Sequence, residues 1–150
     1  MAGVPQDPRF EERVRASFSR QVFMTSLGAR LASVAPGEVA IKLPFREDLT
    51  QQHGFLHAGV VTAIVDSACG YAALSLMPPE AAVLSVEFKI NLLAPAAGGR
   101  FVATGRVVKA GRNLTVCSGE VVADPDGPAT TVAILQATMM TLVGRGGLSD

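Results

Sequence analysis

Apolar side chains recur every fourth residue at Phe10, Val14, Phe18 and Val22, the spacing of one face of an α-helix. Asp7-Pro8 supplies an N-cap and a first-turn proline, so the pattern predicts an amphipathic helix over about residues 8–24, ending before Gly28. Two apolar-alternating runs, 28–34 and 38–45, are split by Pro36-Gly37 and read as a hairpin. From 58 to 77 the chain is apolar or small with Asp66 as its only charge, until Pro78-Pro79 stops it. Strict alternation follows: Leu84, Val86, Phe88, Ile90 and Leu92 fall on one strand face, Ser85, Glu87, Lys89 and Asn91 on the other. Turns at Gly98-Gly99, Gly111-Arg112-Asn113 and Asp124-Pro125-Asp126-Gly127 separate further strands near 101–110, 114–123 and 129–143. The last residues, 144–150, carry no periodicity and are expected to be disordered. Consecutive strands joined by tight turns make an antiparallel sheet, and one apolar helix covers only one of its faces. The expected fold is therefore α+β, a curved sheet around a central helix, with residues 1–150 as one domain.

Composition narrows the function. Thirteen basic against thirteen acidic side chains leave no net charge, and aromatic residues are 5% of the chain. That argues against nucleic-acid binding, which needs a basic face and stacking surfaces. Two cysteines, Cys69 and Cys117, cannot build a disulfide scaffold or a four-ligand zinc site. The first residues have no apolar core of a secretory signal, so a reduced, cytoplasmic protein is expected. An uncharged surface also leaves self-association open. The run 58–77 is long enough to cross a bilayer, but a mid-span Asp costs ~3 kcal/mol there and no Lys or Arg flanks it. It reads instead as a buried helix. On that helix Asp66 shares a stripe with small residues, Gly59, Thr62, Ala63, Cys69, Gly70 and Ala73, opposite Val61, Ile64, Val65, Ala68 and Ala72. A carboxylate among small residues is either satisfied locally or functional, with room for a ligand beside it.

The loop before this helix is Thr50-Gln51-Gln52-His53-Gly54-Phe55-Leu56-His57-Ala58-Gly59. Gly54 permits a bend, and Ala58-Gly59 open the helix without bulk near its free amides. Such amides polarise a carbonyl or hold an anion. His57 and Asp66 lie ~13.5 Å apart along one helix, at 1.5 Å per residue. For both ends to act on one atom, the Asp must come from a second subunit.

His57-Ala58-Gly59 with Asp66 resembles the HGG-x-x-x-x-x-x-D signature of hotdog-fold acyl-CoA thioesterases of the phenylacetyl-CoA (PaaI) type. The strings TQQHGFLHAG, SVEFKINLLAP and KAGR are similar to the branch acting on medium- and long-chain acyl-CoA (YigI-like), and the resemblance spans about 36–143. It implies hydrolysis of acyl-CoA to free acid and CoA by a homodimer, paired into a tetramer, without metal or other cofactor. It further implies that the Ala58 amide, next to Gly59, polarises the carbonyl and that Asp66 of the partner subunit acts as base or nucleophile. Gln51 would place water or substrate, Ser85 would assist the water, and His57 would orient the loop. Ala58 stands where the family carries its first Gly, and Gln51 where many members carry Asn, with Gln52 able to share its role.

Gly54, Phe55, Tyr71 and the N-terminal helix are candidate walls for substrate, and Lys109 and Arg112, with Arg106, candidate holders of the CoA phosphates. His53-x-x-x-His57 has the spacing of a metal pair, but Gly54 lies between them and the segment reads as loop. Cys69 and Cys117 read as core, and Asp124-x-Asp126-Gly127 as a turn. Two other functions fit the same elements: a hydratase or dehydratase acting on thioesters, and a non-catalytic acyl-CoA binding module.

Overall fold

In the computed structural model, which describes residues 3–150, six strands form one antiparallel sheet in the order β1-β2-β4-β5-β6-β3. β1 (Arg30–Ala35) and β2 (Glu38–Pro44) are the hairpin around Gly37. β3 (Ala82–Leu92), β4 (Arg100–Ala110), β5 (Leu114–Ala123) and β6 (Thr130–Leu142) follow in sequence. Between the hairpin and β3 lies α3 (Ala58–Leu74), packed against one face of the sheet. This is the α+β hotdog arrangement that the resemblance implies.

α3 lies close because the sheet carries glycines beneath it. A Cβ on Gly105 would come within 2.4 Å of the Ala68 carbonyl carbon and the Cys69 nitrogen. One on Gly119 would meet the Val65 side chain at 2.6 Å. Val61, Ile64, Val65, Ala68 and Ala72 are buried there, while Thr62, Ala63, Asp66 and Ser67 remain partly open. Cys69 belongs to the sheet side: its thiol points at Ser118 O, 3.5 Å away, and it does not share the open small-residue stripe.

Two expectations change in detail. The N-terminal helix is broken at Gln21 (φ −78, ψ 95) into α1 (Phe10–Arg20) and α2 (Val22–Leu27). The break takes Val22 off the buried face and leaves it exposed, and it turns Met24 and Leu27 inward. The helix also starts two residues later than Asp7-Pro8 predicts, at Phe10 with Arg9 as its N-cap and no side-chain cap; the Asp7 carboxylate instead accepts from Arg9 N–H at 2.9 Å in the turn before it. The segment 144–150, expected to be disordered, returns to the body of the protein, where Asp150 is bonded to Arg13, Ser17 and Val83. Those partners come from distant parts of the chain, which is why no local pattern announced them. No helix of the described residues is long and apolar enough to cross a membrane.

The larger departure is in β3. Its alternation breaks at a bulge between Ser85 and Glu87. Leu84 lies opposite Met140 and Ser85 opposite the buried Met139, whereas past the bulge Phe88 and Ile90 face the buried Ala137 and Leu135. Ser85 is thus on the helix side of the sheet, not with Glu87, Lys89 and Asn91. β3 is also an edge strand, and Leu84, Val86, Phe88 and Leu92 stay 44–53% exposed.

Candidate active site

The loop into α3 is folded by its own polar groups. Gln51 N–H donates to Phe55 O at 2.9 Å, and Gly54 N–H to Gln51 O at 3.0 Å, with Gly54 in the left-handed region at φ 85. Leu56 N–H donates to Ala96 O at 3.1 Å, tying the loop to the segment after β3. The Gln51 side-chain oxygen accepts from His53 N–H at 2.5 Å, so its NH₂ is the group left for the adjoining cavity. His53 therefore sits in this turn and His57 at the helix start, so their spacing is not that of two ligands on one helix face. No group of three or more His, Cys, Asp or Glu among the described residues is placed to hold a metal.

His57 is the N-cap of α3: its Nδ1 accepts from Gly59 N–H at 2.8 Å. An accepting Nδ1 puts the neutral ring's proton on Nε2. A Cβ on Gly59 would lie 3.0 Å from that Nδ1, so the glycine is what lets the cap close. The Ala58 N–H has no acceptor among the described residues. Ala58 lines a cavity of about 670 Å³ whose walls include Gln51, Gln52, Phe55, Leu56, Val61, Leu93 and Val132. The expected Gln51, Gln52, Phe55, His57 and Ala58 thus gather at one end of the helix, with Gly54 and Gly59 shaping the backbone around them. Leu93, Pro95 and Val132 complete the walls. In the sequence Ala94-Pro95 reads only as the end of a strand, since proline cannot donate to the ladder.

Asp66 occupies a different cavity, of about 130 Å³, with Gln21, Ser67, Gly70, Tyr71, Val83, Ser85 and Asp150. The Ser85 hydroxyl donates to Asp66 Oδ1 at 2.8 Å. Burial pushes the Asp66 carboxyl above the ordinary carboxylate range, and the Ser85 hydrogen bond draws it partly back. Ser67 Oγ donates to Gln21 Oε1 at 3.3 Å, so the residue at the break between α1 and α2 forms part of this cavity's wall. Within one chain Ala58 and Asp66 stay ~12 Å apart along the helix, at 1.5 Å per residue. The structure therefore unites Asp66 with Ser85, and Ala58 with Gln51, but not the two pairs with each other.

The basic residues separate. Arg106 lies on the sheet's outer face, donating to Glu38 at 2.8 Å and Glu120 at 2.9 Å. Lys109 is exposed near the end of β4, and Arg112 lines a cavity of about 490 Å³ beside Met77 and Pro78, beyond the C-terminal end of α3. Neither adjoins Ala58 within the chain. Burial pushes the Cys117 thiol up to about 12 and Cys69 further still, so neither is a nucleophile near neutral pH.

Residues 53–130 match the sequence profile of the Thioesterase superfamily. Acyl-coenzyme A thioesterase 13 of Homo sapiens is 32% identical over 111 residues, 71% of this chain and 77% of that protein. A thioesterase family protein of Silicibacter pomeroyi is 52% identical in its crystal structure, with a TM-score of 0.88 over 90% of this chain and 99% of that one. The E. coli PaaI protein from the phenylacetic acid degradation operon shares the fold, with a TM-score of 0.81 at 20% identity over 91% of this chain and 96% of that one.

Proposed function

This chain belongs to the thioesterase superfamily and is a thioester hydrolase; from that premise we propose that it hydrolyses acyl-CoA at a site shared between two copies. The thioester lies in the cavity of Gln51 and Phe55, with its carbonyl oxygen toward the Ala58 N–H at the positive end of α3. The partner's Asp66 reaches the carbonyl carbon through a water. In one route that water adds to the carbon as Asp66 takes its proton, the oxyanion collapses, the C–S bond breaks, and the proton passes to the departing CoA sulfur. In the other Asp66 itself attacks, collapse of the oxyanion breaks the C–S bond and leaves a mixed anhydride with CoA thiolate, and water then cleaves the anhydride, its proton going to the thiolate.

Each part has a physical reason. Charge developing on the carbonyl oxygen is stabilised by ~3 kcal/mol per preorganised donor. A carboxylate raised by burial is a better base than an exposed one, and Ser85 leaves its second oxygen available. The Gln51 NH₂ orients water or substrate. Lys109 and Arg112 hold the CoA phosphates, reaching them from the other subunit. The dimer, paired into a tetramer, is part of this proposal, as is a cytoplasmic setting.

The observation that carries the reading is the separation of the two half-sites. A polarising amide and a half-buried carboxylate each open on a cavity of their own, and an exposed apolar edge strand lies beside the carboxylate. The likeness to acyl-coenzyme A thioesterase 13 supports CoA as the thiol. The experiment is thiol release from an acetyl- to palmitoyl-CoA series. Asp66→Ala is expected to fold as wild type and to lose on the order of 10³-fold in kcat. Full activity in that variant on every substrate refutes the mechanism. Hydration of crotonyl-CoA without thiol release indicates a hydratase, and tight binding without turnover a binding module.

A further inference from the structure

Behind Asp66 the fold holds a polar network for which the reaction above has no role. Asp150 returns to the cavity wall and uses both carboxylate oxygens. Oδ1 accepts from the Ser17 hydroxyl of α1 at 3.1 Å, and Oδ2 accepts from Val83 N–H of β3 at 2.7 Å. Its main-chain oxygen accepts from Arg13 Nε at 3.2 Å. Arg13, largely buried, also donates to Pro78 O at 2.8 Å and to Ala81 O, so it holds the connection between α3 and β3. The Ser17 hydroxyl lies 3.4 Å from the Tyr71 hydroxyl of α3. Three elements are thus fastened around the first residues of one strand.

That place is where β3 is least secured. As an edge strand it has a lateral partner only in β6, and the bulge after Ser85 interrupts that ladder. The Val83 N–H points away from β6, and Asp150 supplies the acceptor that a neighbouring strand would otherwise provide. Val83 and Ser85 are two residues apart and line the same cavity. Fixing Val83 therefore fixes where the Ser85 hydroxyl arrives.

We propose that Asp150 is a positioning residue: by clamping Val83 to α1 it sets the start of β3 and keeps the Ser85 hydroxyl on Asp66. The inference rests on the catalytic reading of Asp66, but the placement it asserts is measurable without turnover. The ionisable groups that line the cavity with Asp66 are Tyr71 and Asp150; around them stand Arg13 and Arg20 on α1, the first beside Asp150 and the second near Tyr71, and Cys69 on the sheet side of α3. Burial keeps Cys69 and Tyr71 neutral, so Asp150 is the acid whose charge could be confused with its role as a clamp.

The test compares Asp150→Ala, Asp150→Asn and Ser85→Ala in the full chain. Asp66 is titrated by carboxyl-carbon NMR and assigned against Asp66→Asn, with pH profiles of kcat and KM beside it. Losing the Ser85 hydrogen bond removes what draws Asp66 down. Asp150→Ala and Ser85→Ala should therefore raise its midpoint alike, and the double variant should raise it no further. Asn keeps an oxygen for Val83 N–H and offers its NH₂ to Ser17, so Asp150→Asn should sit near wild type. In Asp150→Ala kcat should fall on the order of tenfold with KM little changed. A purely electrostatic role lowers the midpoint in both Asp150 variants, and a purely structural one lowers Tm alone; either result overturns the proposal. A wild type that releases no thiol defeats the functional reading, while the NMR midpoints still decide the clamp.

Discussion

Asp66 is held in a place that suits its chemistry better than its comfort. Burial disfavours its ionised form, so its folded-state pKa lies above the value in the unfolded chain. For a carboxyl shifted that way the native state binds the extra proton, and stability rises as pH falls from the folded pKa toward the ordinary one of ~4. At neutral pH the charge is a cost that Ser85 offsets only in part. Asp66→Asn keeps the acceptor for Ser85 and removes the charge. It is expected to be inactive yet to melt a few degrees above wild type at pH 7, the difference closing below about pH 4, as followed by scanning calorimetry. A variant that melts lower at pH 7 would show that the ionised form is favoured in the fold. Much of this residue-level picture was legible in the chain, because a lone acid in an apolar helix and a loop ending His-Ala-Gly are local signals. Ser85 was legible as a candidate but its face was not, since a bulge depends on the partner strand. Asp150 left no signal, its partners being 67 to 137 residues away.

At the scale of elements, the helix and strands were readable because each is long and strongly periodic, and Gly37 and the downstream turns carry their own chemistry. The break at Gln21 was not, since four-residue spacing continues through it in the sequence while packing decides the turn. The closeness of α3 to the sheet was equally hidden: Gly105 and Gly119 look like weak points of strands until the helix is seen to lie on them. Gly105→Ala would drive a methyl group into main-chain atoms of Ala68 and Cys69, which cannot swing aside. It should cost about 3 kcal/mol or more in urea unfolding. Gly70 gives the opposite case, a helical glycine whose added Cβ meets nothing within 4 Å. Gly70→Ala should hold or gain stability by up to about 1 kcal/mol through helix propensity, though it places a methyl beside Asp66. Equal losses at both positions would mean that helix-to-sheet distance is not what these glycines set.

At the scale of the whole molecule the question is whether one chain suffices. β1, the other edge, is short and interrupted by an irregularity, whereas β3 offers eleven residues with exposed apolar side chains on both sides of its bulge. An edge of that kind is a template for a second copy. If a site takes its amide from one copy and its acid from the other, two inactive variants can repair each other. Asp66→Ala removes the acid. Ala58→Pro removes only the N–H: position 58 is the first of the helix, where proline is favoured, and His57 before it already has the extended ψ of 139 that a following proline requires. Ala58→Pro alone should fold and lose about 10²–10³-fold in kcat, the worth of one preorganised donor. When equal amounts of the two variants are unfolded and refolded together, half of the dimers should be mixed. Each mixed dimer carries one site with both parts and one with neither, so about a quarter of wild-type activity should return. A site contained within one chain yields no recovery at all, because every chain in the mixture is defective. Recovery of activity therefore turns on the geometry of the pair and on nothing else that the two substitutions change.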